Sequence, residues 1–375
     1  MAGIYIHIPF CKQKCSYCDF HFSTTYQGYR TKMISAMLHE IKLQKAYLKN
    51  EMIETLYFGG GTPSLLTKEE LQSIIQIVFK TFLNVSIKEF TLEANPDDIN
   101  EVTLSNWKEL GVNRLSIGVQ SFFQEDLDWM NRAHTAKEST EAVLLAQKMG
   151  FSLSVDLIYG LPNRTLVDWK HNLDKLIAIR PEHISAYCLT IEKRTALNKM
   201  IQTKQLPKVE EEAQAQQFEL MVNELSKVGY EQYEISNFAR DAHYSIHNSS
   251  YWKGVHYIGI GPSAHSYDGK SRQWNIANNQ LYIKKVLSGE TYFEKEVLSL
   301  QDQFNELILT GLRTKWGVSR LQLSDKLKLP EEFKKQLEKF KELRLIHEEN
   351  NTLYLTEKGK LQADYIASML FIELD

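Results

Sequence analysis

Residues 3–18 read Gly3-Ile4-Tyr5-Ile6-His7-Ile8-Pro9-Phe10-Cys11-Lys12-Gln13-Lys14-Cys15-Ser16-Tyr17-Cys18, a β-rich run that stops at a proline and opens at once into a loop with three cysteines. The chain then repeats the strand-then-helix pattern. Strand-like segments at 3–9, 54–58, 90–94, 114–120, 153–159 and 184–189 alternate with helix-like segments at 29–48, 68–82, 102–110, 137–149 and 167–178. Thr67 followed by Glu70 reads as a capping box that opens the second helix. Strict alternation predicts an α/β fold with a parallel sheet, and the regular spacing suits a partial (β/α)6 TIM-like barrel. The strands are continuous apolar runs, as expected where both faces are covered. Chemistry in such folds gathers at the C-terminal ends of strands. Gly59-Gly60-Gly61-Thr62, Glu93, Gln120 and Asp156 fall at those ends.

Beyond residue 205 the pattern changes. A long helix is expected at 210–228, then an aromatic- and histidine-rich stretch at 230–274 containing Gly259-Ile260-Gly261-Pro262-Ser263, which reads as a tight loop. From about residue 300 come two helices and a hairpin around Asn350-Asn351, the outline of a small winged-helix-like unit. The expected division is a core at 1–205, an extension packed on that core at 206–295, and a C-terminal winged-helix-like domain at 296–375.

Of 375 residues, 43% are hydrophobic and 24% charged, an ordinary globular composition, and the net charge of −3 leaves no footprint for non-specific nucleic-acid binding. No apolar stretch approaches the roughly 18 residues of a membrane span, and the N-terminus lacks the layout of a secretory signal. A cytoplasmic location follows as the expectation, with peripheral contact at a membrane compatible with it. In a reducing compartment four cysteines point to metal or redox chemistry rather than to disulfides.

Cys11, Cys15 and Cys18 fall within eight residues, whereas Cys188 lies far off and reads as a small core residue. Three thiolates at this spacing can wrap three corners of a cubane cluster and leave one iron open. A zinc site completed by His7 or His21 uses the same soft ligands. Spacing alone leaves both open.

The CxxxCxxC loop directly after a strand, followed by an aromatic, resembles the signature of the radical S-adenosylmethionine (SAM) superfamily, and Gly59-Gly60-Gly61-Thr62-Pro63 resembles that superfamily's glycine motif. More narrowly, the chain resembles the branch of the oxygen-independent coproporphyrinogen III oxidases over essentially its whole length. The supporting strings are Tyr5-Ile6-His7-Ile8-Pro9-Phe10-Cys11, Leu92-Glu93-Ala94-Asn95-Pro96, Gly118-Val119-Gln120-Ser121-Phe122, Asn131-Arg132 and Asp156-Leu157-Ile158-Tyr159-Gly160-Leu161-Pro162. The resemblance implies a [4Fe-4S] cluster on Cys11, Cys15 and Cys18. It also implies SAM among Tyr5, Gly60, Gly61, Thr62, Glu93, Gln120, Arg132 and Asp156. Glu93 and Asp156 can accept hydrogen bonds from ribose hydroxyls or the ammonium, and Arg132 can pair with the SAM carboxylate. Taken singly, each also suits an ordinary polar position at a strand end.

Two departures bear on which member of the branch this is. The oxidases carry a further cysteine two residues after the third, where this chain has Phe20, and the chain begins only four residues before Tyr5. Both count against porphyrinogen decarboxylation. In addition, His247-Asn248-Ser249-Ser250-Tyr251-Trp252 resembles the HNxxYW motif of heme chaperones in this branch. That resemblance implies heme as a ligand, with His247 as an axial ligand of the iron and Tyr251 and Trp252 packed on the macrocycle. It also implies acceptor hemoproteins as partners, membrane-bound respiratory ones among them. His243, His256 and His265 lie nearby, with no basis in sequence for choosing a second ligand. On this reading no residue is assigned a catalytic role. A true radical SAM enzyme is the competing expectation, and a zinc-stabilised nucleic-acid-binding protein a more distant one.

Overall fold

The computed structural model describes residues 1–373; the end of the expected C-terminal domain, 374–375, lies outside the described residues. Six strands carry the alternation: β1 (Ala2–Ile8), β2 (Ile53–Gly60), β3 (Val85–Ala94), β4 (Arg114–Gln120), β5 (Ser152–Tyr159) and β6 (His183–Cys188). They pair in sequence order, all parallel. The helices between them are α1 (Arg30–Leu43), α2 (Lys68–Thr81), α3 (Glu101–Glu109), α4 (Gln124–Trp129), α5 (Ala136–Lys148) and α6 (Leu166–Ile179). Nearly every residue of β1, β2 and β4 is buried, because helices cover one face and the barrel interior the other. The partial barrel expected from the sequence is present. Capping boxes open α2 at Thr67, α3 at Asn100, α5 at Thr135 and α6 at Thr165, each satisfying backbone N–H groups that the first turn leaves free.

The first differences from expectation lie at strand ends. β2 runs through Gly59-Gly60 instead of stopping at Phe58, because these glycines pair with His7 and Ile8 of β1. A Cβ at Gly61 would stand 2.6 Å from the Phe10 carbonyl oxygen and 2.7 Å from that of Ile8. Only glycine lets the two strand ends approach so closely. β3 begins at Val85, five residues early, through an alternating segment whose outward residues hid it from an apolar-run criterion.

The segment after β6 is woven into the sheet. Helices α7 (Ala196–Gln202) and α8 (Glu211–Lys227) lead to β7 (Glu231–Glu234) and β8 (Asn237–Ala239), which extend the β6 edge antiparallel. After α9 (Ile246–Trp252), strand β9 (His256–Ile260) joins the opposite edge, parallel to β1. β10 (His265–Tyr267), β11 (Ser271–Asn275) and β12 (Phe293–Val297) continue outward from it antiparallel, with α10 (Asn279–Ser288) between the last two. The resulting sheet has twelve strands, seven of them parallel. These strands are too short and polar to show as apolar runs, so residues 206–295 do not read as sheet in the sequence.

A second hydrophobic core gathers Phe304, Ile308, Leu337, Phe340 and Ile366. It lies among α11 (Leu300–Leu312), α12 (Arg320–Lys326), α13 (Glu331–Glu342), α14 (Glu357–Lys360), α15 (Ala363–Met369) and a three-stranded sheet of β13 (Val318–Ser319), β14 (Ile346–Glu349) and β15 (Thr352–Leu355). On α13, Lys334 and Lys341 are ion-paired to Glu331, Glu338 and Glu348, and its four lysines are interspersed with the four glutamates Glu331, Glu332, Glu338 and Glu342 rather than gathered into a basic run. Arg313 ties this unit to the main sheet through the buried Glu234 and through a backbone bridge between Glu234 and Thr314. Among the described residues no helix is long and apolar enough to cross a membrane.

Candidate functional site

The loop after β1 is closed at its base, where Ser23 donates to the Pro9 carbonyl and Cys11 to the Ser23 carbonyl, both through backbone N–H groups. Its far side is held by the turn after α4. The Ser16 N–H donates to the Met130 carbonyl, Gln13 Nε2 to the Asn131 carbonyl, and Asn131 Nδ2 to the Lys14 carbonyl. Lys12 pairs with Asp97 at 2.6 Å and with Asp98. The loop is therefore pre-formed, tied at its base to the end of β1, on its far side to the turn after α4, and through Lys12 to the turn after β3.

Cys11, Cys15 and Cys18 line a cavity of about 450 Å³ at the C-terminal ends of the parallel strands. Gly60, Gly61, Thr62, Glu93, Gln120, Arg132 and Asp156 line the same cavity. Thus ten of the sequence-predicted residues meet in one place. Tyr5 does not line it; its ring lies on the other side of Glu93, facing two neighbouring cavities.

Burial pushes the Cys11 thiol up to about 12 and the Cys18 thiol up to about 11. Thiolates here need a compensating cation, and metal coordination supplies one. Thr62 Oγ1 donates to Cys11 Sγ at 3.4 Å, and Arg132 Nη1 to Cys15 Sγ at 3.4 Å, so two of the sulfurs already have donors for a negative charge. The two histidines that would complete a zinc site are both engaged elsewhere. His7 donates from Nε2 to the His21 carbonyl at 2.8 Å, and His21 Nε2 donates to Asn279 Oδ1 at 2.7 Å. Among the described residues no three His, Cys, Asp or Glu side chains converge on a point that could hold a single metal ion.

The polar wall opposite the thiols is strongly constrained. Glu93 accepts from Tyr57 Oη at 2.8 Å and from the Gly60 N–H at 3.1 Å, and its burial raises its pKa to about 7. Asp156 is raised to about 6, again by burial, while Ser116 and Ser154 donate to it. Gln120 ends β4 with φ of 67°, next to a register shift against β5, a strained backbone that turns its amide into the cavity. Arg132 donates from Nη2 to Asn95 Oδ1 at 2.7 Å and to the Gly118 carbonyl at 2.9 Å. Its Nε is buried with no partner, a donor left over for a bound acceptor. Sequence reasoning missed Asn95, Ser116 and Tyr17, and treated Cys188 as core only. Cys188 ends β6 and lines this cavity too. Its place at a strand end was the available signal.

Phe20 is 72% exposed and stands where the cysteine-lined cavity adjoins a second, larger one of about 960 Å³. Gly60 and Glu93 are the other residues common to both. The larger cavity lies between the β9–β11 edge and the C-terminal unit, and Tyr251 and Trp252 line it. A third cavity of about 460 Å³ lies on their other side, against Arg313 and Glu234.

His247 is placed differently from expectation. Its side chain points inward, 2% exposed, packed on Tyr57 with ring centroids 4.9 Å apart. Nδ1 is bonded to Thr55 Oγ1 at 2.7 Å and Nε2 to Tyr251 Oη at 2.8 Å. Burial, then Arg114, lower its pKa to about 3, so the ring is neutral. Both nitrogens are spent, and ligation of iron through Nε2 requires Tyr251 to swing away. Glu89 fixes the start of α9 by accepting from the Ile246 and His247 N–H groups at 2.8 Å each. It stands 3.9 Å from the buried Arg114. Glu89 carried no sequence signal, because its bond to the Ile246 N–H of α9 spans 157 residues.

Comparison with known proteins agrees with this geometry. Residues 5–176 match the radical SAM superfamily, and residues 298–361 match the HemN C-terminal domain. The fold superposes on coproporphyrinogen III oxidase (HemN) from Escherichia coli with a TM-score of 0.85 at 22% identity, covering 100% of this chain and 90% of that one. The heme chaperone HemW of Bacillus subtilis is 33% identical over 100% of both chains, and that of Lactococcus lactis is 31% identical over 95% of this chain and 93% of its own. The chain belongs to the HemW heme chaperone family of the radical SAM superfamily.

Proposed function

We propose that this chain is a heme chaperone that holds a [4Fe-4S] cluster on Cys11, Cys15 and Cys18, binds SAM beside it, and carries heme in the adjoining cavity for delivery to acceptor hemoproteins. The observation that carries the reading is the pairing of two unlike cavities across Phe20, Gly60 and Glu93. One is polar and ringed by thiols; the other is larger and walled by aromatic side chains. A volume of about 960 Å³ lies at the upper end of the range for small-molecule sites.

When bound, a cluster with one open iron supplies a coordination point for SAM and a source of an electron. The chain's own part is positional. Thr62 and Arg132 supply donors to thiolate sulfur, Arg132 Nε offers a spare donor for a carboxylate, and Glu93 and Asp156 accept from hydroxyl or ammonium groups. In the larger cavity Tyr251 and Trp252 provide flat apolar surface for a macrocycle, and His247 holds Tyr251 in that wall. The acceptors are hemoproteins reached from the cytoplasm, membrane-bound respiratory ones included. No side chain is assigned to porphyrinogen oxidation, since Phe20 stands where the oxidases carry a further cysteine.

Hemin titration of the anaerobically reconstituted protein, followed by addition of apomyoglobin as a probe acceptor, tests the reading. Saturable binding and transfer of heme to the acceptor are expected. Absence of saturable binding overturns it.

A further inference from the structure

Three histidines reach the larger cavity: His7, His21 and His265. His7 uses Nε2 on the His21 carbonyl, and its Nδ1 lies 3.4 Å from Tyr5 Oη. His21 is bonded to Asn279. His265 alone of the three is exposed, with no hydrogen bond to either ring nitrogen among the described residues. Its backbone is nevertheless rigid. β10 pairs with β11, setting His265 opposite Trp274, and the two rings stack at 6.3 Å with planes 28° apart. The carbonyl of His265 passes so close to Gly259 that a Cβ there would stand 2.1 Å from it. An imidazole on a fixed strand with both nitrogens free, facing a large aromatic cavity, is arranged as a metal ligand rather than as a structural histidine.

Charge in the same cavity is consistent with this. Lys253 lies 3.9 Å from the centroid of the Trp316 ring and has no carboxylate partner among the described residues, whereas Arg272 is paired with Glu306 at 2.8 Å. Burial and Arg272 together lower the pKa of His265, keeping the ring neutral and able to donate a lone pair.

The geometry points to His265 as the protein ligand of the heme iron, with Lys253 as the cation that meets a heme propionate. This rests on the heme-carrier reading above and assigns His247 the separate task of positioning Tyr251. The two histidines differ in a way the HNSSYW motif does not reveal. The ring inside the motif is spent on Thr55 and Tyr251, and the free ring lies eighteen residues further on.

Full-length His265→Ala, His265→Asn, His247→Ala and Lys253→Ala are titrated with hemin and followed by the Soret band, with circular dichroism as the check on folding. Both His265 variants are expected to shift the Soret band and weaken binding by at least about tenfold, the lower bound for disturbing even the groups around a metal ligand. Added imidazole should return the band of His265→Ala towards its wild-type position, which a purely structural loss would not allow. Lys253→Ala should weaken binding about twofold to fivefold with the band unmoved. His247→Ala, which frees Tyr251 from the wall, should weaken hemin binding while keeping the Soret position that an iron-bound imidazole gives. Unchanged affinity and spectrum in folded His265→Ala overturns the assignment, as does a band shift confined to His247→Ala. If wild-type protein fails to bind hemin, the carrier reading itself falls.

Discussion

The cavities on either side of Phe20 are built by different rules. The cluster cavity collects one residue or two from the end of each parallel strand, and almost every polar group in it is held by a neighbour: Glu93 by Tyr57 and Gly60, Asp156 by serines, Arg132 by Asn95 and Cys15. The larger cavity is assembled late in the chain, from α9, the β9–β11 edge and the C-terminal unit, with aromatic walls, a free imidazole and an unpaired lysine. A constrained polar site suits a cofactor that stays. A roomier aromatic site with few committed partners suits a ligand that must leave, since release is slowed by every well-formed contact.

The largest expected effect separates the two sites. Replacing Cys11, Cys15 or Cys18 by Ala should reduce the iron and inorganic sulfide of reconstituted protein to background, while hemin affinity stays within about threefold of wild type. Loss of hemin binding together with the cluster would merge the two cavities into one functional unit.

The next concerns the seat of α9, the helix that carries Tyr251 and Trp252. Glu89→Ala removes the acceptor for two N–H groups of α9 and strands the buried Arg114. It should cost about 3–5 kcal/mol by urea denaturation, with Glu89→Gln costing less. A loss below about 1 kcal/mol would show that α9 is held by packing rather than by this carboxylate.

How much of this was legible in the sequence follows from the same contrast. Strand-end residues of a parallel sheet announce themselves, because each follows an apolar run and falls at a fixed place in the repeat; hence Gly60, Glu93, Gln120 and Asp156 could be placed together. The cysteine loop was legible from spacing alone, though its choice between iron–sulfur and zinc was not. The second cavity depends on contacts far apart in sequence: Glu89 with α9, His247 with Thr55, Arg313 with Glu234. The HNSSYW motif marked the right region. It could not show that the histidine faces inward, because side-chain direction on α9 is set by Glu89, Tyr57 and Thr55 on strands more than 150 residues earlier in the chain.

A smaller effect is expected from pH. Buried Glu40 accepts from Asn275 Nδ2 at 2.7 Å, from the Gly261 N–H at 2.8 Å and from the Tyr282 hydroxyl, which ties α1 to the loop behind the larger cavity. Burial raises its pKa from 4.5 to about 7. The native state therefore binds a proton more tightly than the unfolded chain, so this group's stabilisation is complete below pH 4.5 and is lost as pH rises through about 7. Urea midpoints across that window should fall less steeply in Glu40→Gln than in wild type. Part of the slope should remain, because Glu93 and Asp156 are raised in the same sense. An unchanged slope would mean that Glu40 stays ionised. The smallest effect belongs to the boundary residue. Phe20→Ala should change stability by less than about 0.5 kcal/mol, since its ring is largely in solvent.

The most direct measurement offers the anaerobically reconstituted protein, in parallel, hemin alone and coproporphyrinogen III with SAM and a reductant. A carrier binds hemin saturably and yields no protoporphyrinogen. Turnover of coproporphyrinogen III to protoporphyrinogen would contradict the account, since the larger cavity would then be a substrate site, with SAM as the oxidant and the cluster as the electron donor that cleaves it.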